Sequence, residues 1–130
     1  MIYIIDSYAW VEYFLASKKG EIIKRLFENE ENVFLTIECC IGEIKGWSLR
    51  ERENFGSIYK VIRVNSRMIS STVYDWIDAA QERFELRKSI KNFGLIDAML
   101  LVKQKEFSCK IISGDHHFKD LKNVIYLEQK

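Results

Sequence analysis

Met1-Ile2-Tyr3-Ile4-Ile5-Asp6-Ser7 is the stretch on which the fold turns. Ile2 to Ile5 are four apolar residues in a row, three of them Ile, and such a run reads as a short strand buried on both faces. A strand covered on both faces belongs to a parallel sheet, whose carboxyl edge opens onto the crevice where α/β proteins hold their ligands. Asp6 is placed at that edge. Ser7 is expected to cap the helix that follows. Asp6 either joins it in capping or serves as a ligand for a metal ion or phosphate.

Tyr8–Ala16 continues as a mostly apolar helix, with Trp10, Tyr13 and Phe14 on one face. Lys18-Lys19-Gly20 reads as its basic end and stop, and residues 21–28 as a second helix. Val33–Thr36 is a β-type run. A helix begins near Ile37, carries Glu43 and is drawn on past Gly46 towards the charged run Arg50–Glu53. Residues 55–64 carry no decisive pattern. One long amphipathic helix is expected from Ser66 to Arg87, with Met68, Ile69, Val73, Trp76, Ile77, Ala80 and Phe84 on its apolar face. Asn92-Phe93-Gly94 breaks it. Leu95–Lys105 is a further helix, Lys110–Ser113 a strand, Gly114–Phe118 a loop and Val124–Leu127 a last strand. Strands separated by helices give an α/β fold with a central parallel sheet of about four to five short strands flanked by helices.

With 130 residues the chain suits a single domain, 1–130, with one real core. The formal net charge of +1 leaves no global field, so any nucleic-acid contact needs a local basic patch. Lys45, Lys91, Lys103, Lys119 and Lys122 are candidates for such contacts and equally read as solvated surface lysines. The three cysteines, Cys39, Cys40 and Cys109, form no C-x-x-C pair, which disfavours a disulfide framework or a zinc site. Cys109 with His116 and His117 is a weak alternative metal set. Free thiols in a reducing compartment are the simpler reading. No stretch has the length of a transmembrane helix and no leader is visible, so a cytoplasmic protein without a membrane partner is expected.

Four carboxylates stand out by context. Asp6 ends the first strand. Glu43 lies in the apolar frame Cys40-Ile41-Gly42-Glu43-Ile44. Asp97 is an acid in the first turn of an apolar helix. Asp115 follows a strand through a glycine. Singly they read as caps, turn residues or surface charge. Jointly they fall at the carboxyl end of a parallel sheet, where acids repel unless a cation neutralises them. Hard oxygens without an organised His/Cys set favour magnesium or manganese.

The stretches Ile5-Asp6-Ser7-Tyr8-Ala9, Thr36 through Gly46, Leu95-Ile96-Asp97-Ala98-Met99 and Ser113-Gly114-Asp115-His116-His117-Phe118, in that order, resemble the PIN-domain family. The chain looks most like a small prokaryotic VapC-type toxin ribonuclease. The resemblance implies that Asp6, Glu43, Asp97 and Asp115 are the metal-binding, catalytic acids of a Mg²⁺- or Mn²⁺-dependent endoribonuclease. It implies a metal-activated water attacking the phosphodiester, with 5′-phosphate and 3′-hydroxyl products. Ser7 falls on the family's small hydroxyl residue, as an outer support for a water or carboxylate. The implied partners are RNA, a second copy of the chain and an antitoxin whose segment lies over the crevice. The excess of rings in the first helix is a candidate dimer surface.

His117 departs from the pattern, standing where many relatives have Asp or Asn. It is a candidate for a phosphate or water contact, a poor second-metal ligand, or a loop cap. Glu38 reads as a structural or rim acid and Glu12 as an acid at the site edge. Two other readings stay open: a catalytically silent PIN-like binding module, and a phosphohydrolase or phosphoacceptor of another α/β family. The latter is opposed by Tyr8 and Ile5, which stand where those families need a second acid.

Overall fold

The computed structural model describes residues 1–128. Its strands are β1 (Ile2–Ile5), β2 (Val33–Ile37), β3 (Arg67–Ile69), β4 (Lys110–Ser113) and β5 (Val124–Tyr126). They form one parallel sheet in the order β3-β2-β1-β4-β5. Its helices are α1 (Ser7–Phe14), α2 (Lys18–Phe27), α3 (Glu38–Arg50), α4 (Phe55–Asn65), α5 (Val73–Leu86) and α6 (Leu95–Phe107), with a short 3₁₀ turn at His116–Phe118. The α/β expectation with a parallel sheet of four to five strands holds.

Alternation along the strands builds two cores. Ile4, Leu35, Ile37 and Ile111 point to the face covered by α5 and α6, where they meet Met99, Leu100, Phe93 and Phe118. Tyr3, Ile5, Phe34 and Ile112 point to the opposite face, where they meet Trp10, Ile23, Ile44 and Ile62. Chain order runs outward from β1 through β2 to β3, then returns to β1's other side for β4 and β5. The order therefore reverses between β1 and β4, and at such a switch point the loops leaving the two strands part to open a crevice.

Several boundaries differ from the sequence reading. Ser7 does not cap α1. Asp6 does, with its carboxylate accepting from the Ala9 amide at 2.8 Å, because the chain is still extended there and Ser7 already lies in the first turn. Lys18-Lys19-Gly20 is the start of α2, capped by Ser17, and not a stop. Gly20 is needed for a close helix crossing: a Cβ there would lie 2.3 Å from the Glu12 carbonyl oxygen. Gly20→Ala must force α1 and α2 apart. We expect a loss of roughly 3 kcal/mol and a melting temperature lower by roughly 10 °C, readable by thermal denaturation.

The long helix expected from Ser66 is a strand and a helix. Arg67–Ile69 pairs with β2 as the edge strand, and Thr72 with Asp75 then forms a capping box that starts α5. α3 ends at Arg50, so the charged run leaves the helix, and Arg52 takes a positive φ. Residues 55–65 are helical, with Ile58 and Ile62 buried.

Candidate functional site

The crevice between β1 and β4 is where the acids gather. Asp6 leaves β1 almost fully buried, and its amide donates to the Ile112 carbonyl of β4 at 3.2 Å. Burial pushes its carboxyl up to about 7. The Ser113 hydroxyl and the Ala9 amide oppose that rise, and the charges of Asp115 and Asp97 add to it. The charges of Asp115 and Asp97 thus reach the Asp6 carboxyl.

Asp115 follows β4 through Gly114. Its amide donates to the Ser113 hydroxyl at 3.0 Å, and its carboxylate accepts from the His117 amide at 3.0 Å. Gly114 is required by close approach, since a Cβ there would lie 2.4 Å from the Tyr8 ring. Asp97 sits at the start of α6, and its Oδ2 accepts from the Gly94 amide at 3.0 Å. The His117 Nδ1 lies 3.0 Å from the same oxygen and 3.5 Å from Asp115 Oδ1. The Gly94 and His117 contacts with Asp97 both fall on its Oδ2.

Glu43 comes in from α3 and accepts a hydrogen bond from Ser7 Oγ at 2.8 Å. Its side chain reaches solvent more than Asp6 does. Even so, partial burial raises its carboxyl pKa; the Ser7 hydroxyl counters, and Asp97 and Asp115 push it further up. Ser7, displaced from the capping role, thus orients Glu43. All four sequence-selected acids thus lie at this end of the sheet, the charges of Asp97 and Asp115 reaching both Asp6 and Glu43, with Ser7 bonded to Glu43 and His117 between Asp97 and Asp115.

The remaining candidates fall elsewhere. Glu38 accepts from the amide and hydroxyl of Ser71, tying α3 to the link between β3 and α5. Glu12 accepts from the Ser17 hydroxyl at the α1–α2 junction. Lys103 is buried in ion pairs with Asp75 at 2.9 Å and Glu106 at 2.8 Å, and so is removed from any nucleic-acid surface. Lys122 lines a cavity of about 570 Å³ with Met1, Ile2 and Lys110 at the opposite end of the sheet. Cys109 and His116 lie at opposite ends of β4, which rules out their sharing one metal. Asp115, His116 and His117 do offer ligand atoms within 4.8 Å of one another. The sequence reading missed Tyr8 and Lys19. Lys19 Nζ donates to the Tyr8 hydroxyl at 3.1 Å, and an aromatic residue directly after Asp6-Ser7 was the only signal for the pair.

The donor set fits a hard divalent cation. It consists of carboxylate oxygens at one crevice, two of them on groups whose ionisation the fold opposes. No protein-family model and no curated protein matches this sequence. Solved structures do. The chain is similar to VapBC2 from Rickettsia felis, solved bound to a DNA fragment from its promoter, with a TM-score of 0.72 and 15% identity over 97% of both chains. A toxin–antitoxin complex from Klebsiella pneumoniae gives a TM-score of 0.68 at 13% identity over 98% of both. The chain has the PIN-domain fold. VapC20 of Mycobacterium tuberculosis, a toxin that cleaves the sarcin–ricin loop, gives 0.67 at 14% identity over 86% of this chain and 87% of that one. At these identities the likeness is one of architecture. In this PIN-type fold no helix among the described residues is long and apolar enough to cross a membrane.

Proposed function

We propose that this protein is a divalent-metal-dependent endoribonuclease of the VapC type, the toxin of a toxin–antitoxin pair. The observation that carries the reading is that Asp6, Glu43, Asp97 and Asp115 lie at the switch point of the sheet, with the charges of Asp97 and Asp115 reaching both Asp6 and Glu43. Burial and the charges of Asp97 and Asp115 oppose the ionisation of Asp6 and Glu43, which is costly without a cation. A Mg²⁺ or Mn²⁺ ion held by them would supply a water of lowered pKa and neutralise charge on the phosphodiester. Ser7 fixes the Glu43 carboxylate, and the Gly94 amide and His117 fix that of Asp97. These bonds set the orientation of the Glu43 and Asp97 carboxylates. The toxin–antitoxin structures among the neighbours support an antitoxin partner.

The test is cleavage of RNA by the purified protein with Mn²⁺ and its loss in EDTA, the products carrying 5′-phosphate and 3′-hydroxyl ends. A silent PIN-like binding module is the competing reading. It predicts no cleavage and no rise in melting temperature on adding Mn²⁺, whereas a bound ion must raise it.

A homodimer belongs to the same proposal, on a different surface from the one the sequence suggested. Trp10 is fully buried, and Tyr13 and Phe14 pack round it with Phe27, so these rings belong to the core. The expectation that Ile77 and Phe84 face inward also fails. α5 turns Trp76 and Ala79 to α6 and leaves Val73, Tyr74, Ile77 and Phe84 between 60% and 79% exposed. Two such helices, packed antiparallel about a twofold axis, would bury these residues. Light scattering at micromolar concentration should report a dimer, and Ile77→Glu with Phe84→Glu should reduce it to monomer. A monomeric wild type would overturn this assignment.

A further inference from the structure

Beside the acids lies a cationic and aromatic surface that the proposed chemistry has not used. Tyr8 packs its ring on Gly114, the residue before Asp115. Lys19, in the first turn of α2, lies with its Nζ 3.1 Å from the Tyr8 hydroxyl and 5.4 Å from the centre of its ring. Lys119, directly after the 3₁₀ turn that carries His116 and His117, lines with Lys19 an open cavity of about 450 Å³. Tyr126, Leu127 and Glu128 complete its wall. Among the described residues Glu128 is the one carboxylate in that wall, and it is exposed.

Among the described residues Lys19 makes no ion pair with an acid, unlike Lys103 and Lys105, which bond carboxylates of α5. Its ammonium is instead held by a phenol hydroxyl, which fixes its place, and the Glu12 carboxylate acts on it only at longer range. With a net charge of +1, the whole chain offers a polyanion little attraction. A strand of RNA brought to an acidic crevice therefore needs local cations at its approach. Tyr126, in the same cavity, offers a face on which a base can stack.

We propose that Lys19, positioned by Tyr8 and assisted by Lys119, binds a backbone phosphate of the RNA strand next to the acid cluster. The inference rests on the ribonuclease reading and names its substrate-positioning surface. An acidic peptide is the other polyanion the patch could take. RNA is favoured because the patch adjoins Asp115 through Tyr8 and Gly114 and pairs its cations with an aromatic face.

The experiment compares the wild type with Lys19→Gln, Lys19→Arg, Tyr8→Phe and Lys122→Gln. Binding of a fluorescein-labelled single-stranded RNA oligonucleotide is followed by anisotropy in EDTA, across salt concentrations. Cleavage is followed with Mn²⁺. Lys19→Gln should weaken binding about fivefold and lower the slope of log affinity against log salt by about 0.7. It should raise KM and leave kcat unchanged. Lys19→Arg should restore binding, Tyr8→Phe should lose part of it, and Lys122→Gln, at the far end of the sheet, should match the wild type. Equal binding and KM in Lys19→Gln and wild type would overturn this inference and leave the nuclease reading standing. So would a Lys19→Gln variant that, in the same anisotropy assay, loses binding of a labelled glutamate-rich peptide while keeping that of RNA. A wild type that neither binds nor cleaves RNA would overturn both.

Discussion

Asp6→Asn will abolish metal-dependent RNA cleavage and, at pH 8 without metal, will make the protein more stable. The two effects share one cause. Burial holds the Asp6 carboxyl at about 7, against an ordinary value of 3.8, with Asp115 and Asp97 adding to the rise. A raised carboxyl pKa means that the folded state holds its proton where the unfolded state has released it. That contribution to stability is complete below about pH 4 and is lost as pH rises through 7, up to roughly 4 kcal/mol by pH 8. Asparagine carries no charge to bury and keeps the oxygen that accepts from the Ala9 amide, so α1 keeps its cap. Melting curves of the metal-free proteins should then separate at pH 8 and converge near pH 4. Mn²⁺ should narrow the gap at pH 8 by binding the wild type alone. Activity should fall roughly a thousandfold or more, because the substitution removes an anionic oxygen from the proposed metal site. A fully active variant, or one that melts below the wild type at pH 8, would contradict this account.

The acids were legible in the sequence because each is attached to a strong local signal. Asp6 and Asp115 follow apolar runs that can only be buried strands, and Asp97 opens a helix of almost unbroken apolar character. Their convergence then follows from parallel topology, which brings the carboxyl ends of strands to one edge. The misread segments lack such a signal. Residues 67–69 are too short for strand alternation to show, and the pairing of Thr36 with Met68 that makes them a strand is a long-range contact. Gly20 was read as a stop because its reason for being glycine, the carbonyl of Glu12, lies on another helix. The apolar residues of α5 have helical spacing whether they face the core or solvent, so periodicity alone put Ile77 and Phe84 on the wrong side. Which serine or aspartate caps α1 is a matter of one residue's ψ, and the sequence Asp6-Ser7 allows either.

His117→Asp will tighten the binding of Mn²⁺ or Mg²⁺, roughly tenfold, and lower the metal concentration needed for half-maximal cleavage. The imidazole is mostly covered, lying against Phe93 with its Nδ1 3.0 Å from Asp97 Oδ2 and 3.5 Å from Asp115 Oδ1. In that place it holds one oxygen of Asp97 that a hard cation would otherwise reach, and as a neutral nitrogen ligand it is itself a poor donor to magnesium. A carboxylate there would release Asp97 and supply a further hard oxygen. The metal-free variant should be less stable than the wild type, since it sets another negative charge beside Asp97 and Asp115 and loses the packing on Phe93. Added metal should recover more stability in the variant than in the wild type, because neutralising a denser cluster returns more. Calorimetric titration of both forms measures the affinity directly. Unchanged affinity with activity lost would instead make His117 a residue that touches the RNA, its ring donating to a phosphate oxygen at the edge of the acid cluster.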